Sequence, residues 1–183
     1  EYNNKYLALL DAQHMPAAEL IFLNLADDSR PWSWITGKLL GILDQYEANG
    51  RIPLANIAFN GNQPTPQQLA QMPDKLYGID DEVAHSTKYD DKIRDLARMF
   101  KEFNKPIMLR IGGEFNGGWN GYHPYDYPKA YRKVVNIFRE EGVENVAFIW
   151  CYESAAPDDF DEKNAQGEWK WFPGDDVIDW YSI

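Results

Sequence analysis

A single cysteine, Cys151, stands in 183 residues, which excludes an intrachain disulfide and leaves no Cys-rich zinc site to argue. Histidine is nearly as scarce, and His14, His85 and His123 show no metal-ligand spacing among themselves. Basic residues are outnumbered: 18 Lys and Arg face 29 Asp and Glu, a formal net charge of -11. Repulsion at that charge opposes a nucleic-acid backbone or an anionic membrane surface as partner, and leaves neutral or cationic ligands. No apolar run approaches the roughly 20 residues a membrane span needs. Linker-like stretches, internal repeats, nucleotide motifs and nucleophile elbows are all missing, so one domain over 1–183 without a cofactor is the expectation. The chain opens at Glu1, without Met or a signal peptide, and reads as a processed product or a piece of something longer.

What the chain has is aromatics, 15% of residues, with seven Trp and eleven Tyr. Rings stack on sugars, and they also fill cores. Five apolar runs alternate with helical periodicity. Ala18 to Leu25 reads as a strand closed by Asp27-Asp28-Ser29-Arg30-Pro31. Trp34, Ile35, Leu39, Leu40, Ile42, Leu43 and Tyr46 recur at helical spacing before the stop Asn49-Gly50. Pro53 to Phe59 is a second strand, followed by a long irregular segment from Thr65 to Ser86 with a short helix at Pro66 to Gln71 and a turn at Gly78-Ile79-Asp80. A helix over Asp90 to Phe103 carries the stripe Ile93, Leu96, Ala97, Phe100, Phe103, and Asn104-Lys105-Pro106 launches a third strand. Asp126 is placed to cap a helix with Pro128 in its first turn, running to about Glu141. Val146 to Cys151 is a fourth strand, Ser154 to Lys170 a polar excursion, and Val177 to Ile183 begins a fifth. The pattern predicts an α/β fold with a parallel sheet. A full β/α barrel takes about 250 residues, so the expectation is a TIM-type (β/α)8 barrel incomplete at the C-terminus and lacking its first strand; an open doubly wound sheet is the alternative.

The third strand leads into Arg110-Ile111-Gly112-Gly113-Glu114-Phe115-Asn116-Gly117-Gly118-Trp119. Glu114 then stands at a strand's carboxyl end, where a barrel projects its catalytic groups. Arg110 and Glu114 lie an even number of residues apart, so an extended backbone sends both to one side of the sheet. Arg110 can orient the carboxylate, or the two can be a structural ion pair. Asn116 offers donors and acceptors to a hydroxyl, or forms a turn. Trp119 offers a flat face to a pyranose ring; Tyr122, Trp150, Trp169 and Trp171 are further platforms, with Trp150 equally suited to the core. His123 precedes Pro124 in a loop and is placed to bond substrate or to face water. Glycoside hydrolysis generally needs two carboxyl groups, one of them a neutral acid, which apolar walls favour. Glu153, just past the fourth strand, is a second carboxylate within conceivable reach, as nucleophile or as a sugar-binding loop residue. Asp158, Asp159, Asp161 and Glu162 make an acidic run without EF-hand spacing, read as solvated charge rather than a metal site.

Arg-x-x-x-Glu-x-Asn-Gly-x-Trp, then Asp126-Tyr127-Pro128-Lys129-Ala130-Tyr131-Arg132, then Asn145 to Trp150, resembles the family-26 glycoside hydrolases, which include β-mannanases. Trp171 to Trp180 is similar to the same family's Tyr-Pro-Gly-Asp segment, and the likeness covers roughly 89–183. The resemblance implies a (β/α)8 barrel, retaining chemistry and Glu114 as acid/base at the end of the fourth strand; the chemistry of the side chains themselves makes Arg110, Asn116, Trp119, Tyr122, His123, Trp150 and Glu153 the candidates to surround the substrate. Two departures stand out: Gly113 occupies the position where family members usually carry His, and no residue here matches the nucleophile, a Glu on the seventh strand. The expectation is a secreted or periplasmic polysaccharide hydrolase acting on mannan or mixed-linkage glucan, with weak or absent catalysis by this chain alone. The alternative is a non-catalytic carbohydrate-binding protein on the same scaffold.

Overall fold

The computed structural model describes residues 7–11, 14–61, 67, 76–156 and 160–183. The strands are β1 (Ala18–Asn24), β2 (Ile52–Ala58), β3 (Ile107–Glu114), β4 (Val146–Cys151) and β5 (Trp180–Ser182). The α-helices among the described residues are α1 (Trp32–Ala48), α2 (Asp80–His85), α3 (Asp90–Phe103) and α4 (Tyr127–Glu140). All strands pair in parallel in the order β1-β2-β3-β4-β5. A doubly wound sheet reverses its strand order at a switch point; this one never does, which is the wall of a barrel. The described elements are therefore part of a β/α barrel.

Alternation sorts the side chains. Ile21, Leu23, Ala55, Ile57, Leu109 and Ile111 point to the helices and are buried with Leu39, Leu43, Ile93, Leu96, Phe100, Val134 and Phe138. Each of these Ile, Leu, Val and Phe side chains contributes about 1.5–3 kcal/mol of burial. The intervening residues of β1 face the other way, and there Leu20 is 50% and Phe22 64% exposed. The run Ala18 to Leu25 is thus covered on one face only.

The helix punctuation follows local chemistry. Pro31 precedes α1, Gly50 ends it with φ of 68°, and Asn104 ends α3 in the left-handed region. Asp126 makes no capping hydrogen bond to α4, because its carboxylate faces His85 and Lys129 instead. The turn expected at Gly78-Ile79-Asp80 is instead a bridge from Gly78 to Asn60 followed directly by α2. The helix expected at Pro66 to Gln71 falls, apart from Gln67, outside the described residues, as do Asp158 and Asp159.

Helices α3 and α4 are tied by Arg94 and Arg98, which donate to Glu140 and Glu141 at 2.8–3.2 Å. Hydrogen bonds from Arg98 and then Arg94 hold the Glu141 carboxyl below its usual range. A depressed carboxyl stabilises the fold above its unfolded value and loses that contribution as pH falls through the folded value. Glu141→Gln is accordingly expected to lose less thermal stability than the parent between pH 7 and pH 3 (about the span of carboxylate titration), measured by circular dichroism.

Candidate active site

β3 runs regularly against β4 as far as Arg110↔Ile149, then the register shifts, and pairing resumes only at Glu114↔Cys151. Gly112 and Gly113 make that break, with φ of 82° and 63°. Both lie in the left-handed region, which glycine occupies without a Cβ penalty. The break swings the end of β3 inward, so Glu114 meets Arg110: Nη2 lies 3.5 Å from Oε1. Glu114 remains 41% exposed at its side chain.

The pair opens into a cleft of about 420 Å³ whose walls include Phe22, Asn56, Asn60, Arg110, Glu114, Trp119 and Asn120. Trp119 stands at its rim, 53% exposed, on a short 3-10 turn, Gly118–Asn120. Asn56, cross-strand from Arg110, is fully buried with neither amide atom hydrogen-bonded, and Arg110 Nε is likewise unpaired.

The other residues named from the sequence take different places. Asn116 is 8% exposed; its Nδ2 donates to the Glu153 carbonyl at 3.1 Å and its Oδ1 accepts from the Glu153 N–H at 2.7 Å. It ties the β3 end to the β4 end. The Glu153 carboxylate accepts from the Ala155 N–H. Trp150 alternates away from the cleft and packs against Phe115, Tyr152 and Phe160. Tyr122 is 2% exposed, and its hydroxyl accepts from the Phe59 N–H at 2.9 Å. Burial pushes that phenol up. Trp171 is buried beside Phe115 and Tyr127, while Trp169 is partly exposed with the Lys163 ammonium over its ring. Glu162, from the acidic run, pairs with Lys170 at 3.0 Å.

His123 has a partner that sequence reasoning did not anticipate. Asp80, fully buried at the start of α2, accepts from the His123 N–H at 2.8 Å and meets its Nδ1 at 3.0 Å. Burial pushes the Asp80 carboxyl up, opposed by those contacts. Asp80, Asp81 and His123 also place one ligand atom each within 4.8 Å of one another. Both Asp80 oxygens are already engaged by His123, which makes the cluster a loop anchor. Forty-three residues separate the partners, so no local spacing could have signalled them. The same holds for Asn60 and Asn120, whose amides meet at 3.0 Å across the cleft rim.

No described helix is long and apolar enough to cross a membrane. Two curated relatives resemble the chain: beta-1,3-xylanase TXYA of a Vibrio species, 35% identical over 98 residues, and a beta-1,3-xylanase of an Alcaligenes species, 34% identical over 98 residues. Each alignment covers 52% of this chain and 20% of the relative. The fold is shared with an endo-beta-1,4-mannanase double mutant of Cellulomonas fimi, at a TM-score of 0.57 and 16% identity over 88% of this chain and 40% of that one. It is shared too with the catalytic domain of an endo-beta-1,4-mannanase of Bacillus sp. JAMB-750, at 0.58 and 14% over 88% and 46%. The profile of glycosyl hydrolase family 26 matches residues 41–182, which spans β2 to β5 and the whole Arg110–Trp119 segment; this chain belongs to that family.

Proposed function

We propose that this chain carries the acid/base half of a retaining hydrolase of β-linked polysaccharide. Glu114 donates a proton to the leaving oxygen and later takes one from water, and Arg110 orients its carboxylate. Trp119 stacks on a sugar beside the scissile bond. The carrying observation is the Arg110–Glu114 contact at 3.5 Å in a cleft that also presents an exposed Trp119. No described residue is assigned as nucleophile. The relatives' names point to β-1,3-xylan or mannan as the polymer, and mixed-linkage glucan stands as a third candidate. A polymer too large to enter a cell places the enzyme outside the cytoplasm, secreted or periplasmic.

Reducing-end release from those three polymers, by this chain and by longer forms of the protein, tests the reading. Turnover of at least one by a form that includes a second carboxylate is expected, and none by any form would sink it. Trp119→Ala is expected to weaken oligosaccharide binding by about 1–3 kcal/mol, roughly fivefold to 150-fold, read by calorimetry. Gly113, where family members usually carry His, favours a second reading as a non-catalytic binder. Binding lost in Trp119→Ala, unchanged in Glu114→Gln, and without turnover in any form is the result that would select it.

A further inference from the structure

We infer that Asn60 and Asn120 are positioning residues that set Glu114 by gripping its main-chain carbonyl, a role that rests on the reading of Glu114 as the acid/base. The need for such a grip comes from β3 itself. Its ladder with β2 ends at Ile57↔Ile111, and its ladder with β4 is interrupted between Arg110 and Glu114. Two left-handed glycines in succession, Gly112 and Gly113, carry the chain across that gap. A residue three steps beyond the last regular pair is not held by the sheet on its β2 side. Proton transfer nevertheless demands placement within about half an ångström of the productive geometry.

Side chains supply what the ladder does not. Asn120 Nδ2 donates to the Glu114 carbonyl at 2.7 Å, and the Gly117 N–H donates to the same oxygen at 2.9 Å, so both lone pairs are used. Asn120 is 7% exposed, and its Oδ1 accepts from Asn60 Nδ2 at 3.0 Å. That contact settles which way the Asn120 amide faces: with Oδ1 turned to Asn60, Nδ2 is turned to Glu114. Asn60 is fixed in turn. Its carbonyl accepts from Asn24 Nδ2 at 3.0 Å, and its bridge to Gly78 holds its backbone. The chain of contacts therefore runs from the carboxyl end of β1, through the residue just past β2, to the carboxyl end of β3. On the opposite side Asn116 performs the matching tie to β4.

The donor of Asn60 is the element that matters. Asn60→Asp keeps the shape and removes the donor, so Asn120 turns its Nδ2 toward the new carboxylate and its Oδ1 toward the Glu114 carbonyl, where two acceptors repel. In a form of the protein that turns over, Asn60→Asp is expected to lower kcat by roughly tenfold with KM within about twofold. Asn120→Ala should lower kcat at least as much, and Asn60→Ala combined with it should add nothing further. Losses that add in the double variant, or a loss carried by KM alone, would overturn the inference, the second because it would mean Asn60 meets substrate directly. In this chain by itself, NMR decides independently of turnover. The Asn120 side-chain amide is expected to show a through-hydrogen-bond coupling to the Glu114 carbonyl carbon that disappears in Asn60→Asp. Its absence in the parent chain overturns the inference, whereas its presence in a protein inactive on every glycan leaves the network standing and removes the hydrolase reading alone.

Discussion

Glu114→Gln is expected to reduce kcat by roughly 10²–10⁴-fold, the usual contribution of a positioned acid/base, in whichever form of the protein hydrolyses a β-glycan. Gln keeps the length and approximate shape of the side chain and removes its acidic proton and its charge. Its amide can no longer attract the Arg110 guanidinium 3.5 Å away as an ion, yet the exposed position of the side chain keeps the cost to folding small. Substrate affinity should therefore persist, because Trp119 and the cleft walls are untouched. Steady-state kinetics on the active polymer and calorimetry with an oligosaccharide separate the two effects. A rate within tenfold of the parent would remove Glu114 from the mechanism and leave Arg110–Glu114 as a structural ion pair.

Gly112→Ala should have the largest effect on the fold. A Cβ there would stand 2.4 Å from Tyr127 Cε2 at a backbone φ of +82°. Tyr127 cannot retreat: it is fully buried, its hydroxyl donates to the Ile111 carbonyl at 2.8 Å, and its ring stacks on Phe115 at 4.7 Å. Backbone strain and overpacking together cost about 2–5 kcal/mol, which in a domain of this size lowers Tm by about 5–15 °C. Gly118→Ala is the control, since nothing lies within 4 Å of its added Cβ, and its Tm should hold within a degree or two, about 0.5 kcal/mol. A Tm for Gly112→Ala matching that control would show that the β3 break does not depend on this glycine. At Gly113 the nearest atom, Asn56 Oδ1, is 3.3 Å away, so the strain there is chiefly of the backbone.

The strands and long helices were legible because each is decided locally. The stripe Ile93, Leu96, Ala97, Phe100 is buried as its period demands, and Asn104 adopts the left-handed cap that its amide tolerates. Arg110 and Glu114 meet as the even spacing suggested, but by another route. The strand is broken between them, and two left-handed glycines bring together side chains that a regular strand would hold on one side but about 13 Å apart. Trp150 shows the limit of residue type as a guide. It is as good a sugar platform as Trp119 by chemistry, and its strand parity sends it into the helix-side core, while Trp119 sits on a turn at the rim. Asn116 and His123 likewise have the right groups for a sugar hydroxyl, and in the fold those groups bind the main chain of Glu153 and the carboxylate of Asp80.

By itself the sequence determined the order of strands and helices, the parallel sheet, the family-26 resemblance and Glu114 as the acid/base to test, since periodicity, caps and a contiguous motif are properties of neighbouring residues. Only the tertiary structure decided which polar side chains face the cleft and which brace it. Asp80 with His123 and Asn60 with Asn120 are partners brought together from 43 and 60 residues apart by strand register and loop docking. A buried polar group must find a hydrogen-bond partner or bear the cost of desolvation, and which partner it finds is settled by packing across the sheet, which no local pattern encodes.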